Sequence, residues 1–189
     1  MKKTYLSSFF GALAAASFLT SCAPSSSSDG GVTNHQRSQK TSSTTNELYR
    51  AINQYRKSKG IKPLERHRGL DNLAYQHSRY MAENRGQFTL GSKNISHYGF
   101  ENRARVAKTS FRMVHVAENV AGGKISGNIP QKLLESWNLS NKHANNLKAD
   151  WDVTGLGVHI TEDGIVYATQ LFATENNSNM ALMDRMRRF

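Results

Sequence analysis

Apolar positions recur along this chain with two different periods, and the switches between them divide it into elements. Leu48, Ala51, Ile52 and Tyr55 share one face at helical spacing, while Arg50, Asn53, Arg56 and Lys57 point elsewhere, which predicts an amphipathic helix. Thr44-Thr45-Asn46-Glu47 has capping-box spacing and sets the expected start; Gly60 sets the stop. Pro63 disfavours helix at Lys62, leaving Leu64 as the buried anchor of the link. A second helix is expected from Leu70 to Asn84, with Leu70, Leu73, Ala74, His77 and Met81 on its stripe. The pattern then dissolves into Gly, Ser, Asn and Lys between Gly86 and Gly99. Glu101 and Arg103 open a short helix ending near Ala107.

Phe111, Met113, Val114 and Val116 form an apolar strand run that delivers Glu118 just ahead of the Gly122-Gly123 pair. Asn128 caps a further helix, with Pro130 in its first turn and Ile129, Leu133 and Trp137 at four-residue steps; it should end near Ser140, leaving His143 in a loop. Leu156, Val158 and Ile160 alternate with Gly155, Gly157 and His159, and Glu162-Asp163-Gly164 turns the chain. The return, Ile165 to Ala173, is apolar on both faces, as a central strand covered by helices on each side would be. The expected fold is therefore α/β, a three-layer α/β/α sandwich.

The two ends read differently. Lys2 and Lys3 precede an apolar, Ala-rich segment from Phe9 to Leu19, the form of an export signal over residues 1–21 and too short for a permanent span. Leu19-Thr20-Ser21-Cys22 resembles a bacterial lipobox, which makes Cys22 the expected lipidation site. It is the chain's single cysteine, so there is no intramolecular disulfide. Residues 22–43 are rich in Ser, Gly and Thr and read as a tether; residues 44–174 form the domain and 175–189 a basic tail. Met180 to Phe189 has the composition of a short basic amphipathic helix suited to a membrane surface. Formal net charge is +11, or +9 once Lys2 and Lys3 leave with the signal. Such a balance favours anionic surfaces, and export argues against nucleic acid as the partner.

The candidate chemistry centres on Ala117-Glu118-Asn119, with His97 in a polar loop beside Tyr98 and His143 beyond Trp137. Two imidazoles and a carboxylate could hold zinc with one position open for water. The three residues show no His-Glu-x-x-His pairing, however. Ser140 near His143 suggests a nucleophile and base, but no Gly-x-Ser-x-Gly elbow surrounds it, and a helix-ending hydrogen bond is the simpler role. His77 belongs to the core stripe and His115 to a strand surface.

Taken in order, Asn53-Gln54-Tyr55-Arg56, Pro63-Leu64, the helix with Ala74, His77 and Met81, Ser96-His97, Glu118-Asn119, Trp137 with Ser140, His143 and Asn146, Thr154-Gly155 and Tyr167 to Phe172 resemble the CAP superfamily. That group holds the cysteine-rich secretory, antigen-five and pathogenesis-related proteins, and the chain is most similar to its bacterial SCP-like branch over about residues 46–174. The resemblance implies an antiparallel sheet between helical layers and a shallow cleft of two histidines and two acids that binds a divalent metal in some members. His97, Glu118 and His143 match three of the four positions; the second acid is replaced by Ser140, and the glycine before the first by Ala117.

These readings favour a noncatalytic binding module, lipid-anchored on the outer side of a bacterial membrane, the outer membrane where there are two. Its cleft of His97, Glu118, His143 and Ser140 would meet a lipid, wall polymer or envelope protein and require no cofactor. The alternative is a divalent-metal hydrolase of peptides or esters using His97, Glu118 and His143 with zinc.

Overall fold

The computed structural model describes residues 33–85 and 97–176, in the order α1 (Asn34–Ser58), β1 (Glu65–Arg66), α2 (Arg68–Glu83), α3 (Phe100–Phe111), β2 (Met113–Lys124), α4 (Ile129–Leu139), α5 (Asn141–Lys148), β3 (Val153–Ile160) and β4 (Ile165–Glu175). The export signal, Cys22 and the residues from 177 onward lie outside the described residues. So does Ser96 of the Ser-His pair.

The strands form one sheet in the order β1-β3-β4-β2. β4 is central, as its apolar composition on both faces requires, and pairs antiparallel with β3 and β2. The expected all-antiparallel sheet is corrected to a mixed one, because Glu65 and Arg66 run parallel to Val153 and Thr154. Strand alternation then sends side chains to two cores. Leu156, Val158, Ala168 and Phe172 pack with Leu48 and Ile52 of α1, Leu133 and Trp137 of α4 and Leu147 of α5. Val153, Leu171 and Ala173 pack on the opposite face with Leu70 and Ala74 of α2 and Ala107 of α3. The result is the expected helix, sheet, helix layering.

Gly155 and Gly157 face α2. A Cβ at Gly155 would overlap the backbone of Leu70, and one at Gly157 the backbone of Tyr75. The alternate glycines of β3 thus let α2 lie directly on the sheet backbone. On the other layer Arg56 is fully buried and donates to the carbonyls of Lys62 (2.8 Å), Leu147 (2.8 Å) and Ala149 (2.9 Å), tying α1 to the end of α5.

Three element boundaries differ from expectation. α1 starts at Asn34, not Thr44: Thr33 accepts from Gln36 N, and the Gln36 side chain accepts from Thr33 N. Both Thr-x-x-Gln and Thr-x-x-Glu fit the capping box, and once buried Leu48 and Ile52 fix the helix, extending it backward costs little per residue. Residues 34–43 are accordingly helix and not tether. Phe111 closes α3, followed by Arg112 in the left-handed region at φ 60°, and the strand begins at Met113. β2 also runs through Gly122 and Gly123, paired with Tyr167 and Val166, because β4 offers a ladder along its whole length.

Candidate functional site

Glu118 lies in the middle of β2, opposite Leu171, with its side chain on the α2 and α3 face and only 1% exposed. Three groups meet its carboxylate. His97, half-exposed just before α3, approaches Oε1 with Nδ1 at 3.0 Å. Arg103, in the first turn of α3, donates from Nε to Oε2 at 2.7 Å and from Nη2 to Oε1 at 2.9 Å. Its Nη1 donates to the carbonyl of Tyr98 at 2.8 Å. The local chain geometry serves this contact: Gly99 adopts φ 73°, and Phe100 N donates to His97 O at 3.0 Å. That turn places His97 and the first turn of α3 over the same carboxylate.

Burial alone would raise the Glu118 pKa. The hydrogen bonds from His97 and Arg103, the Arg103 charge and the nearby His77 outweigh it and hold the carboxyl below its ordinary value. Glu118 is therefore an ionised group whose two oxygens accept three hydrogen bonds. His77, read as a core residue, is buried as expected and stacks on Tyr80 with ring centroids 6.2 Å apart. Tyr80 in turn stacks on Tyr98, at 5.4 Å and 10°, so the floor of the cleft is a short aromatic ladder.

His143 lies on the other side of β2. It sits in α5 and not in a loop, since Ser140 separates two helices and its carbonyl accepts from Ala144 N at 2.8 Å. Asn119, pointing to the face opposite Glu118, positions this helix: its Nδ2 donates to His143 O at 3.1 Å, and its Oδ1 accepts from Asn146 Nδ2 at 2.9 Å. The Asn146 carbonyl accepts from Trp151 Nε1 at 2.9 Å. Partial burial lowers the His143 pKa, and the charge of His97 adds to the lowering. Ser140 is the C-cap of α4, which ends where expected, and as the N-cap of α5 its side chain makes no capping hydrogen bond.

Of the residues expected at the site, His97 and Glu118 touch, while His143 belongs to α5, whose backbone Asn119 holds from the other face of β2. The sequence reading missed Arg103, Asn119 and Asn146 as parts of the arrangement. Asn119 and Asn146 stood within the quoted motifs, but Arg103 carried no signal beyond being a basic residue in an early helical turn.

The residues do not fit a divalent metal. Arg103 brings its own positive charge onto both oxygens of Glu118, and a metal ion at that carboxylate would have to displace it. Among the described residues, no group of three or more His, Cys, Asp or Glu is arranged to hold a metal ion. No helix of the described residues is long and apolar enough to cross a membrane.

Comparison with known proteins places this fold. The model of the Cysteine-rich secretory protein family, CAP, matches residues 49–172. No curated protein matches the chain. Among solved structures, an outer surface protein of Borrelia burgdorferi is similar with a TM-score of 0.60 and 23% identity, over 72% of this chain and 96% of that one. An extracellular protein of Bacillus anthracis containing an SCP domain gives 0.56 and 22%, over 76% of this chain and 44% of that one. A cysteine-rich secretory protein of Staphylococcus aureus gives 0.53 and 22%, over 72% and 40%. The last two are thus more than twice the length that this chain matches in them. A family match across most of the chain, together with the layered fold and the His97 and Glu118 pair, makes this chain a member of the CAP family.

Proposed function

We propose that this CAP domain is a noncatalytic ligand- or partner-binding module of the bacterial envelope, held to a membrane through lipid on Cys22. The observation that supports it best is the engagement of Glu118: both oxygens are taken by Arg103, at 2.7 and 2.9 Å, and one also by His97. A carboxylate so held, with its pKa lowered, is a weak base, and a metal ion at it would have to compete with the Arg103 charge. What it does well is fix His97, Tyr98 and α3 as a rigid rim against which His143 and Ser140 face a ligand. Envelope lipid, wall polymer and envelope protein are the partners that export and a basic balance favour. Two of the similar structures, an outer surface protein and an extracellular protein, agree with an extracytoplasmic position.

Zinc titration of the full-length chain by calorimetry tests the reading. The expected result is no binding at micromolar zinc in the parent. Micromolar binding that is lost in His97→Ala, Glu118→Ala and His143→Ala would overturn it in favour of the metal-dependent hydrolase. For the anchor, Cys22→Ser should move the protein from the membrane to the soluble envelope fraction; persistence in membranes would sink the lipid assignment.

A further inference from the structure

The cleft at Glu118 is not the roomiest hollow of the domain. A groove of about 960 Å³ runs between α1, α2 and β3, against about 300 Å³ for the hollow beside Tyr80 and Arg103. One wall is the front half of α1, where Ser38, Thr41, Ser42 and Thr45 recur at three- and four-residue steps and so share a face. This wall precedes the family-matched span, which begins at residue 49.

The floor is different in kind. Tyr75, 40% exposed, lies there with Leu156 and Ile160. A helix packed onto such a floor for stability alone would present Leu or Ile to it. Here it presents exposed Ser38 and Ser42 and half-buried Thr41, while the buried Thr45 hydroxyl donates to the Thr41 carbonyl at 2.8 Å. An exposed aromatic ring beside hydroxyls matches a sugar chain, whose ring C–H face covers Tyr75 while its hydroxyls bond to the wall; Leu156 and Ile160, buried in the core, back this floor from beneath. An acyl chain would instead strip water from those hydroxyls and give nothing back.

Charge narrows the ligand further. Arg66 is held by Asp71 at 2.8 Å, and Arg37 by Asn34 at 2.8 Å and Glu162 at 3.1 Å. Arg68, at the first position of α2, is exposed on the same groove. Two carboxylates, Asp71 and Glu162, offset two of these three cations, so the balance at the groove is one positive charge, carried at its mouth by exposed Arg68. A guanidinium in such a place pairs with carboxylate or phosphate.

We propose that this groove binds an acidic glycan, a polyhydroxylated chain carrying carboxylate or phosphate groups, independently of the cleft at Glu118. Calorimetry on the full-length chain at low salt, with hexameric hyaluronan as the acidic probe and chitohexaose as its neutral counterpart, tests it. The acidic hexamer should bind with a submillimolar Kd and the neutral one at least tenfold more weakly. Tyr75→Ala and Arg68→Ala should each weaken the acidic probe fivefold or more, while Lys108→Ala, on the exposed side of α3, leaves it unchanged. Failure of both glycans to bind would overturn the proposal. So would equal loss in Lys108→Ala and Arg68→Ala, the mark of diffuse charge attraction, or binding confined to phosphatidylglycerol vesicles. Circular dichroism on each variant separates loss of binding from loss of fold.

Discussion

Arg103 and Glu118 form a forked ion pair across the α3 and β2 contact, with Nε to Oε2 at 2.7 Å and Nη2 to Oε1 at 2.9 Å, at side-chain exposures of 11% and 1%. Removing one partner strands the other away from water. Arg103→Met should destabilise the domain by about 3 kcal/mol, the typical cost of an uncompensated buried charge. The double variant Arg103→Met with Glu118→Gln should recover more than half of that loss. Urea unfolding measures both, and strictly additive losses would show that the pair is not coupled.

Arg56 is a second buried cation, but its partners are three backbone carbonyls and no carboxylate hydrogen-bonds to it. Burial pulls its pKa down, with Asp150 acting the other way. Arg56→Ala should cost about 3 kcal/mol or more, since it empties a core site and orphans the carbonyls together. Arg56→Lys should recover only part, because one ammonium cannot reach the same three acceptors. Thermal unfolding of the two variants side by side is the check.

The glycines of β3 and β2 should respond in opposite ways to one added methyl. Gly157→Ala drives a Cβ into the backbone of Tyr75 and should unfold the domain or cost about 3 kcal/mol. Gly123→Ala meets open space at an ordinary φ and should be neutral or stabilising by about 0.5 kcal/mol. Urea midpoints of the two variants would settle the point.

Acid should weaken the fold in a window set by two histidines. Burial lowers the folded pKa of His143, helped by His97, and of His159, where Glu83 opposes and Arg79 and Arg37 assist. Groups with depressed folded values favour the native state fully above their unfolded value of about 6.5 and lose that contribution as pH falls through the folded value. Unfolding free energy should therefore be flat above pH 7 and decline from about pH 6.5 downward. His143→Gln and His159→Gln together should flatten the decline; an unchanged slope would mean the buried imidazoles do not drive it.

Much of the domain was legible because burial leaves a periodic trace. The double-sided apolar run of β4 announced a central strand, and the stripe of Leu70, Ala74, His77 and Met81 announced α2. What escaped was set by contacts between distant segments. β1 is two residues long and has no period; only its bonds to Asp152 and Thr154 make it a strand. The sequence reading starts α1 at Thr44, and the earlier start at Thr33 goes with a contact from Arg37 to Glu162, 125 residues away, that no local period records. Arg103 looked like any solvated helical arginine until Glu118, fifteen residues away, was buried beneath it.

The seating of α2 on Gly155 and Gly157 has a mechanical consequence. Tyr75 in the glycan groove and His77 and Tyr80 in the cleft belong to this one helix. A helix resting on interdigitated side chains can slide as they change rotamer; one lying backbone to backbone has no such layer to deform. It works as a fixed beam, not a lever, so a ligand in the groove has no shift of α2 through which to alter affinity at the cleft. The two surfaces should bind additively, with a coupling factor near one.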